Sequence, residues 1–152
     1  MTQNEIETYL KSLRDKLIHV SNHRNILMTN EWTKLAPLAA GVYVLIENNK
    51  IIYVGESGNL RGRMKDLLDS RHHIVRSTIG KKFYSHVNGF QEATNRLKFP
   101  QHIEELVNKH ICDRLYISCL EVPLGRKELE EYIHNEIAIE NKLNKRGKRK
   151  TT

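Results

Sequence analysis

Apolar side chains recur every three or four residues in three stretches of the chain, which predicts three amphipathic helices. The first stretch spans residues 4–20 and carries its stripe at Ile6, Tyr9, Leu10, Leu13, Leu17 and Val20. The second follows Ser57, the expected N-cap, and contains Leu60, Met64, Leu67 and Leu68. The third begins after residue 125 and contains Leu129, Ile133 and Ile137.

Strand-forming residues dominate three other stretches. GVYVLIE at 41–47 and IIYVG at 51–55 are rich in β-branched and aromatic residues, and the short NNK between them predicts a β-hairpin. DRLYISCLEV at 113–122 has the composition of a third strand. The connection before the hairpin mixes turn formers with apolar residues, and we expect it to be irregular and to bury Trp32 and Leu35.

The middle of the chain has weaker patterns. RHHIVRSTIGKKF at 71–83 indicates a turn or short helix, and PQHIEELVNKH at 100–110 indicates a helix that Pro100 begins. The fold class expected is α/β, a small three-stranded, largely antiparallel sheet flanked by helices. We expect one domain over 1–152, with an N-terminal helix and connection at 1–39, a core at 40–146 with an insertion around 71–110, and a basic tail at 147–152.

Composition narrows the class of partner. The chain has 152 residues, 28% of them charged, and a formal net charge of +7, which favours an anionic partner such as a nucleic acid. No apolar run approaches the ~20 residues of a membrane-spanning helix. The N-terminal MTQNEIETYLKSLRDKLIHV lacks the pattern of a signal peptide, so we expect a cytoplasmic protein. Cys112 and Cys119 lie seven positions apart, a spacing that suits buried reduced thiols.

Two short motifs in the hairpin carry a family resemblance. Gly41-Val42-Tyr43 and Tyr53-Val54-Gly55 place two tyrosines ten positions apart, and ESGNLRGR follows with Arg63 ten positions beyond Tyr53. Over residues 40–146 the chain resembles the GIY-YIG nuclease family. The resemblance implies that Tyr43, Tyr53 and Arg63 are catalytic.

The later family elements are matched in the C-terminal third. The resemblance places the family glutamate at Glu130, with Glu131 and Glu128 as alternatives, and the closing asparagine at Asn144, with Asn141 nearby. Four residues beyond the arginine, where many members have histidine or tyrosine, this chain has Leu67. Three residues are candidates to supply the missing polar group, namely His72, His73 and Tyr84.

The residue types suit phosphodiester hydrolysis, which needs an activated water and stabilisation of negative charge on phosphoryl oxygens. A phenol whose pKa is lowered by a cation can orient or deprotonate water, and an arginine grips a phosphate through two donors. The resemblance implies one Mg²⁺ (or Mn²⁺) bound by Glu130. The residues expected to contact substrate are Gly55, Asn59, Arg61, His72, His73 and Asn144.

Gly55 and Gly58 belong to the same expectation, because a phosphate backbone must approach the turn closely and free amides at a helix start attract anions. The function expected is a divalent-metal-dependent DNA endonuclease, restriction-type or DNA-processing. Specificity would come from residues 71–110, long enough to enter a DNA groove, from a homodimer, or from a partner protein. The alternatives are a catalytically silent nucleic-acid-binding module of the same fold and a structural protein with a basic surface.

Overall fold

A mixed arrangement of five helices and a four-stranded sheet makes up the part of the chain that the computed structural model describes, residues 1–137 and Leu143. The helices are α1 (Gln3–Ile18), α2 (Leu60–Leu67), α3 (Ile74–Tyr84), α4 (Gln101–Arg114) and α5 (Arg126–Glu136). The strands are β1 (Arg24–Asn25), β2 (Gly41–Glu47), β3 (Lys50–Ser57) and β4 (Tyr116–Glu121). None of the helices in these ranges is both long and apolar enough to cross a membrane.

The sheet is antiparallel throughout, with strand order β1-β4-β2-β3. The expected hairpin is present as β2 and β3, which are joined by Asn48 and Asn49 in the left-handed region (φ 51° and 62°) that asparagine tolerates. The expectation of three strands was wrong by one, because residues 24–25 pair with β4 and add a short edge strand.

Alternation along the strands divides the core between the two sides of the sheet. The side called the front face here carries Tyr43, Leu45 and Tyr53, and it packs against α2, α3 and α4. The other side, the back face, carries Val42, Val44 and Val54, and it packs against α1 and α5. Both sides of the central strands are therefore covered, which explains why GVYVLIE is apolar at nearly every position.

The segment 71–110 is part of this core. Its helices contribute Ile79, Ile103 and Val107 to the front-face cluster, while most of the connection between them, residues 85–98, is exposed. A buried ion pair joins α3 to α4, with Arg76 Nη2 donating to Glu104 Oε2 at 2.6 Å. Arg76 also donates to Ser70 Oγ at 2.8 Å.

The connection before the hairpin differs from expectation at one residue. Trp32 is buried and donates through Nε1 to the Asn25 carbonyl at 2.7 Å, but Leu35 remains exposed, contrary to the prediction. At the outer edge of the sheet, the Leu143 amide donates to the Ile52 carbonyl at 2.8 Å. Leu143 therefore lies against β3, the strand that carries Tyr53.

Candidate functional site

The two motif tyrosines lie side by side on the front face. Tyr43 pairs across the hairpin with Gly55, and Tyr53 pairs with Leu45, so both rings leave the same side of the sheet, with centroids 5.9 Å apart. A Cβ atom at Gly55 would lie 2.5 Å from both Cζ and Oη of Tyr43. Gly55 thus makes room for the Tyr43 ring; it does not offer a surface for the close approach of phosphate that was expected.

Arg63 reaches this pair from α2. Its Nε donates to Tyr43 Oη at 3.2 Å, and its Nη1 donates to Asp66 Oδ2 at 3.2 Å and to the His72 carbonyl at 3.1 Å. Within residues 1–137 and Leu143, Nη2 neither has a hydrogen-bond partner nor counts among the buried unsatisfied atoms, so it faces solvent. The side chain is 26% exposed. The guanidinium is therefore held by the protein along one edge and available to a ligand at the other.

His73 completes the cluster from the start of α3. Its Nε2 lies 2.7 Å from Tyr43 Oη, and its Nδ1 accepts a hydrogen bond from the Val75 amide at 3.1 Å. The side chain is 1% exposed, so His73 does not contact substrate as predicted. Of the three candidates for the polar group missing at Leu67, His73 is the one that bonds a motif tyrosine. Leu67 itself is fully buried in the front-face core.

Burial controls the protonation of the cluster. Burial, and then the neighbouring Tyr53 phenol, raise the pKa of Tyr43 well above 10, although Arg63 opposes them. Burial also lowers the pKa of His73 well below 6.5, assisted by the positive charges of Arg63 and Arg76. Burial alone would lower the pKa of Arg63, but the two tyrosines and Asp66 outweigh it and the pKa is raised. At neutral pH the cluster contains a neutral phenol, a neutral imidazole and one guanidinium.

The start of α2 does not form the expected anion site. Asn59, rather than Ser57, caps the helix, while Ser57 Oγ accepts a hydrogen bond from the Asn59 amide. The first four amides of the helix all donate to protein oxygens: Leu60 to the Ala39 carbonyl, Arg61 to the Pro37 carbonyl, Gly62 to Asn59 Oδ1, and Arg63 to the Asn59 carbonyl. No amide is left at this terminus to bind a phosphate.

Two further residues predicted to contact substrate also have local roles. Arg61 donates through Nε to the Ala36 carbonyl at 2.9 Å and so ties α2 to the turn before the hairpin. The His72 side chain is exposed, with Nε2 3.7 Å from Asp69 Oδ2, while its carbonyl holds Arg63. Arg71 Nη2 lies 2.7 Å from Asp69 Oδ2, and this pairing lowers the pKa of the Asp69 carboxyl. Asn144 lies outside the described residues.

Glu130 lies on the other side of the sheet. Its helix, α5, packs on the back face, and Arg126, one turn earlier, pairs with Glu56 of β3 at 2.7 Å. Glu130 therefore approaches β3 from behind, and its side chain is buried. The structure brings Tyr43, Tyr53 and Arg63 together, as expected, while Glu130 belongs to a helix that packs on the back face.

Sequence reasoning missed the part that Asp66 plays. Its carboxylate lies three residues after Arg63 on the same helix, the spacing at which opposite charges pair, and this signal could have been read. The bond between His73 and Tyr43 had no such signal, because it joins two elements that are brought together by the loop between α2 and α3. Comparison of the chain with family models, curated proteins and solved structures returns no match.

Proposed function

We propose that this protein is a DNA endonuclease that hydrolyses phosphodiester bonds at the cluster of Tyr43, Tyr53 and Arg63. The observation that carries the proposal is the way in which hydrogen bonds hold the Arg63 guanidinium. Its guanidinium is fixed through Nε, which donates to Tyr43 Oη, and through Nη1, and the side chain remains 26% exposed. Fixing the side chain in advance lowers the entropy cost of binding a phosphate, and partial burial strengthens the attraction.

In the proposed reaction the two phenols orient the attacking water and stabilise developing charge. Tyr43 Oη accepts from the Arg63 guanidinium, so negative charge that develops on this oxygen during reaction is stabilised by a cation already in position. Tyr53 stands 5.9 Å away, centroid to centroid, and retains slight exposure. In this proposal Tyr53 contacts the attacking water while Tyr43 and Arg63 hold the charge.

We propose Glu130 as the protein ligand of the divalent metal. In the described ranges no group of three or more His, Cys, Asp and Glu side chains is placed to hold a metal ion. A single carboxylate still fits Mg²⁺ (or Mn²⁺), an ion that keeps several waters and takes its remaining ligands from substrate phosphate. When bound, such an ion would lower the pKa of a coordinated water and neutralise phosphoryl charge.

Charge distribution supports DNA as the partner. The last fifteen residues contain six lysines and arginines and one glutamate, so they supply five of the seven net positive charges of the chain. Such a segment gives salt-sensitive, sequence-independent affinity for a polyanion. Leu143, which lies within this segment, donates its amide to the Ile52 carbonyl of β3.

A second function, a silent nucleic-acid-binding module, is favoured by two observations. Tyr43 is fully buried, and Glu130 is also buried, on a helix that packs on the back face. A module that binds through Arg63 and the basic segment needs neither group to be exposed. The two functions share their DNA contacts and differ only in hydrolysis.

Supercoiled plasmid incubated with the purified protein in Mg²⁺, Mn²⁺ or EDTA separates these functions. Arg63→Ala should lose about 100-fold or more in cleavage rate, because the phosphate charge is left unbalanced. Arg71→Ala is the matched control, since Arg71 is an exposed arginine nearby that pairs with Asp69. Glu130→Gln keeps side-chain size and should remove metal-dependent cleavage.

Each outcome assigns the protein differently. Metal-dependent cleavage that survives in Arg71→Ala and is lost in Arg63→Ala and Glu130→Gln supports the endonuclease. Salt-sensitive DNA binding without cleavage of a mixed pool of duplex, branched and single-stranded substrates supports the silent module. No binding even at low salt rejects both functions and leaves a structural protein.

A further inference from the structure

The two hydrogen bonds of His73 determine which of its ring nitrogens carries the hydrogen. The Val75 amide has one hydrogen, directed at Nδ1 over 3.1 Å, so Nδ1 must accept. A neutral imidazole carries its hydrogen on the other nitrogen when one nitrogen accepts. Burial and the charges of Arg63 and Arg76 keep a second proton off the ring, since they lower the pKa of His73. Nε2 is therefore the protonated nitrogen, and it donates to Tyr43 Oη at 2.7 Å.

The Tyr43 oxygen then accepts two N–H bonds, one from His73 Nε2 and one from Arg63 Nε. A phenolic oxygen has two lone pairs, and both are taken. The hydrogen of the phenol must point away from both donors. The neighbouring phenol toward which it can turn is Tyr53, whose ring lies 5.9 Å away, centroid to centroid, and which helps to raise the pKa of Tyr43.

We propose that His73 is a positioning residue for Tyr43: by donating from Nε2, it makes the phenolic oxygen an acceptor of two bonds and directs the phenolic hydrogen toward Tyr53. The inference rests on the proposed function only in making this hydrogen part of the reaction. His73 cannot itself take the proton of Tyr43 in this arrangement, because its basic nitrogen faces the Val75 amide. Its task is orientation.

The position of His73 explains how it is held. It is the N-cap of α3, so the same ring ends the loop after α2 and fixes the first turn of the next helix. Leu67, four positions beyond Arg63 on α2, is fully buried in the front-face core and offers the phenol no polar group. The helix start at residue 73 therefore serves as the rigid support for the Tyr43 oxygen.

Nitrogen-15 NMR of the histidine side chains tests this arrangement without requiring any activity. The expected result is a His73 ring at neutral pH with a bare Nδ1 and a protonated Nε2, whose proton signal moves upfield in Tyr43→Phe. His73→Asn, in which the signals disappear, provides the assignment. A protonated Nδ1, a charged ring, or an Nε2 proton unaffected by Tyr43→Phe would overturn the inference.

Two substitutions then separate positioning from capping. His73→Asn keeps an acceptor for the Val75 amide but cannot reach Tyr43, whereas His73→Gln keeps an amide donor near the position of Nε2 and gives a poorer cap. We expect His73→Asn to remain stable and lose about 100-fold in cleavage rate, because the phenol is no longer oriented. His73→Gln should be less stable but recover at least part of the lost rate.

If His73→Asn kept the cleavage rate and His73→Gln lost it, activity would depend on the helix cap, and the positioning role would be overturned. A wild-type protein that cleaves no DNA but shows the expected ring signals would refute the proposed function and leave the arrangement of Tyr43 and His73 intact. The two failures are thus distinguishable, because the NMR result depends only on the folded protein.

Discussion

Replacing Gly55 with alanine adds a single methyl group where the structure has no room for it. The new Cβ would meet Tyr43 at 2.5 Å from Cζ and Oη and 2.7 Å from Cε1, against the ~3.5–4.0 Å of a normal carbon contact. The backbone of Gly55 is not in the left-handed region, so alanine is not excluded by conformation. The cost therefore comes from the displaced Tyr43 ring alone.

The magnitude follows from what the ring loses. Overpacking a core typically costs about 1–3 kcal/mol. Moving the phenol also breaks its hydrogen bonds with His73 and Arg63, and the second of these involves a charged donor. With about 1 kcal/mol for each broken bond, Gly55→Ala should lower the free energy of unfolding by about 3–5 kcal/mol. Urea denaturation followed by circular dichroism at neutral pH measures this loss.

A double-mutant cycle isolates the cause. In a Tyr43→Leu background the outer ring atoms are gone, so adding Gly55→Ala should cost nothing or stabilise by about 0.5 kcal/mol through the unfolded chain. Gly58→Ala is the control, because its Cβ would meet only Arg126 Nη2 at 3.8 Å and should change stability by less than about 0.5 kcal/mol. Equal costs of Gly55→Ala in both backgrounds would refute the reasoning.

Three further predictions concern stability. Ser118 Oγ is buried with no hydrogen-bond partner in the described chain, so Ser118→Ala should raise the free energy of unfolding by about 1 kcal/mol in urea denaturation; a comparable loss would contradict this. Burial lowers the pKa of His110 to about 4, so the unfolded chain takes up this proton at a higher pH than the folded protein does, and His110 should contribute a fall of about 2 kcal/mol in the free energy of unfolding from pH 6.5 to 4.5; His73, whose pKa is also lowered, adds to the fall, and His110→Gln should remove only the His110 contribution. Arg76→Met should cost about 3–5 kcal/mol by leaving Glu104 unpaired, and Arg76→Met with Glu104→Leu should regain part of it, although Glu104 also accepts from the Phe99 amide; no recovery would show that the pair is not the cause.

Apolar periodicity located most of the fold because most elements bury one side against the sheet. The pattern was weakest for α3, expected as a turn or short helix but eleven residues long, since its buried residues include Arg76, Thr78 and Gly80. β1 was missed because no alternation can be recognised in two residues, both exposed. α3 is held by the ion pair of Arg76 with Glu104, and β1 by its pairing with β4. Both interactions join parts of the chain that are distant in sequence.

The site was predictable as far as local geometry determines it. The alternation of side chains in the hairpin is enough to place Tyr43 and Tyr53 on one face. Arg63 follows Tyr53 by ten positions, and the turn between β3 and α2 brings it back to Tyr43. The prediction for Gly55 was wrong. A glycine is needed both where a ligand approaches the backbone and where a neighbouring ring does, and here the neighbour is the ring of Tyr43. Which of Ser57 and Asn59 caps α2 depended on a two-residue difference that the pattern does not resolve.

The position of β4 between β1 and β2 determines the order in which the chain can fold. Its partners lie far back in the sequence, with Glu121 opposite Gly41 and Ile117 opposite Arg24. A ribosome releases the hairpin long before the strand that covers its inner edge, and pairings of such long range form slowly. Until residue 121 has emerged, the nascent chain exposes an apolar strand edge of the kind that aggregates or engages chaperones. β4, one of the two inner strands of the finished sheet, is thus the last strand to be supplied.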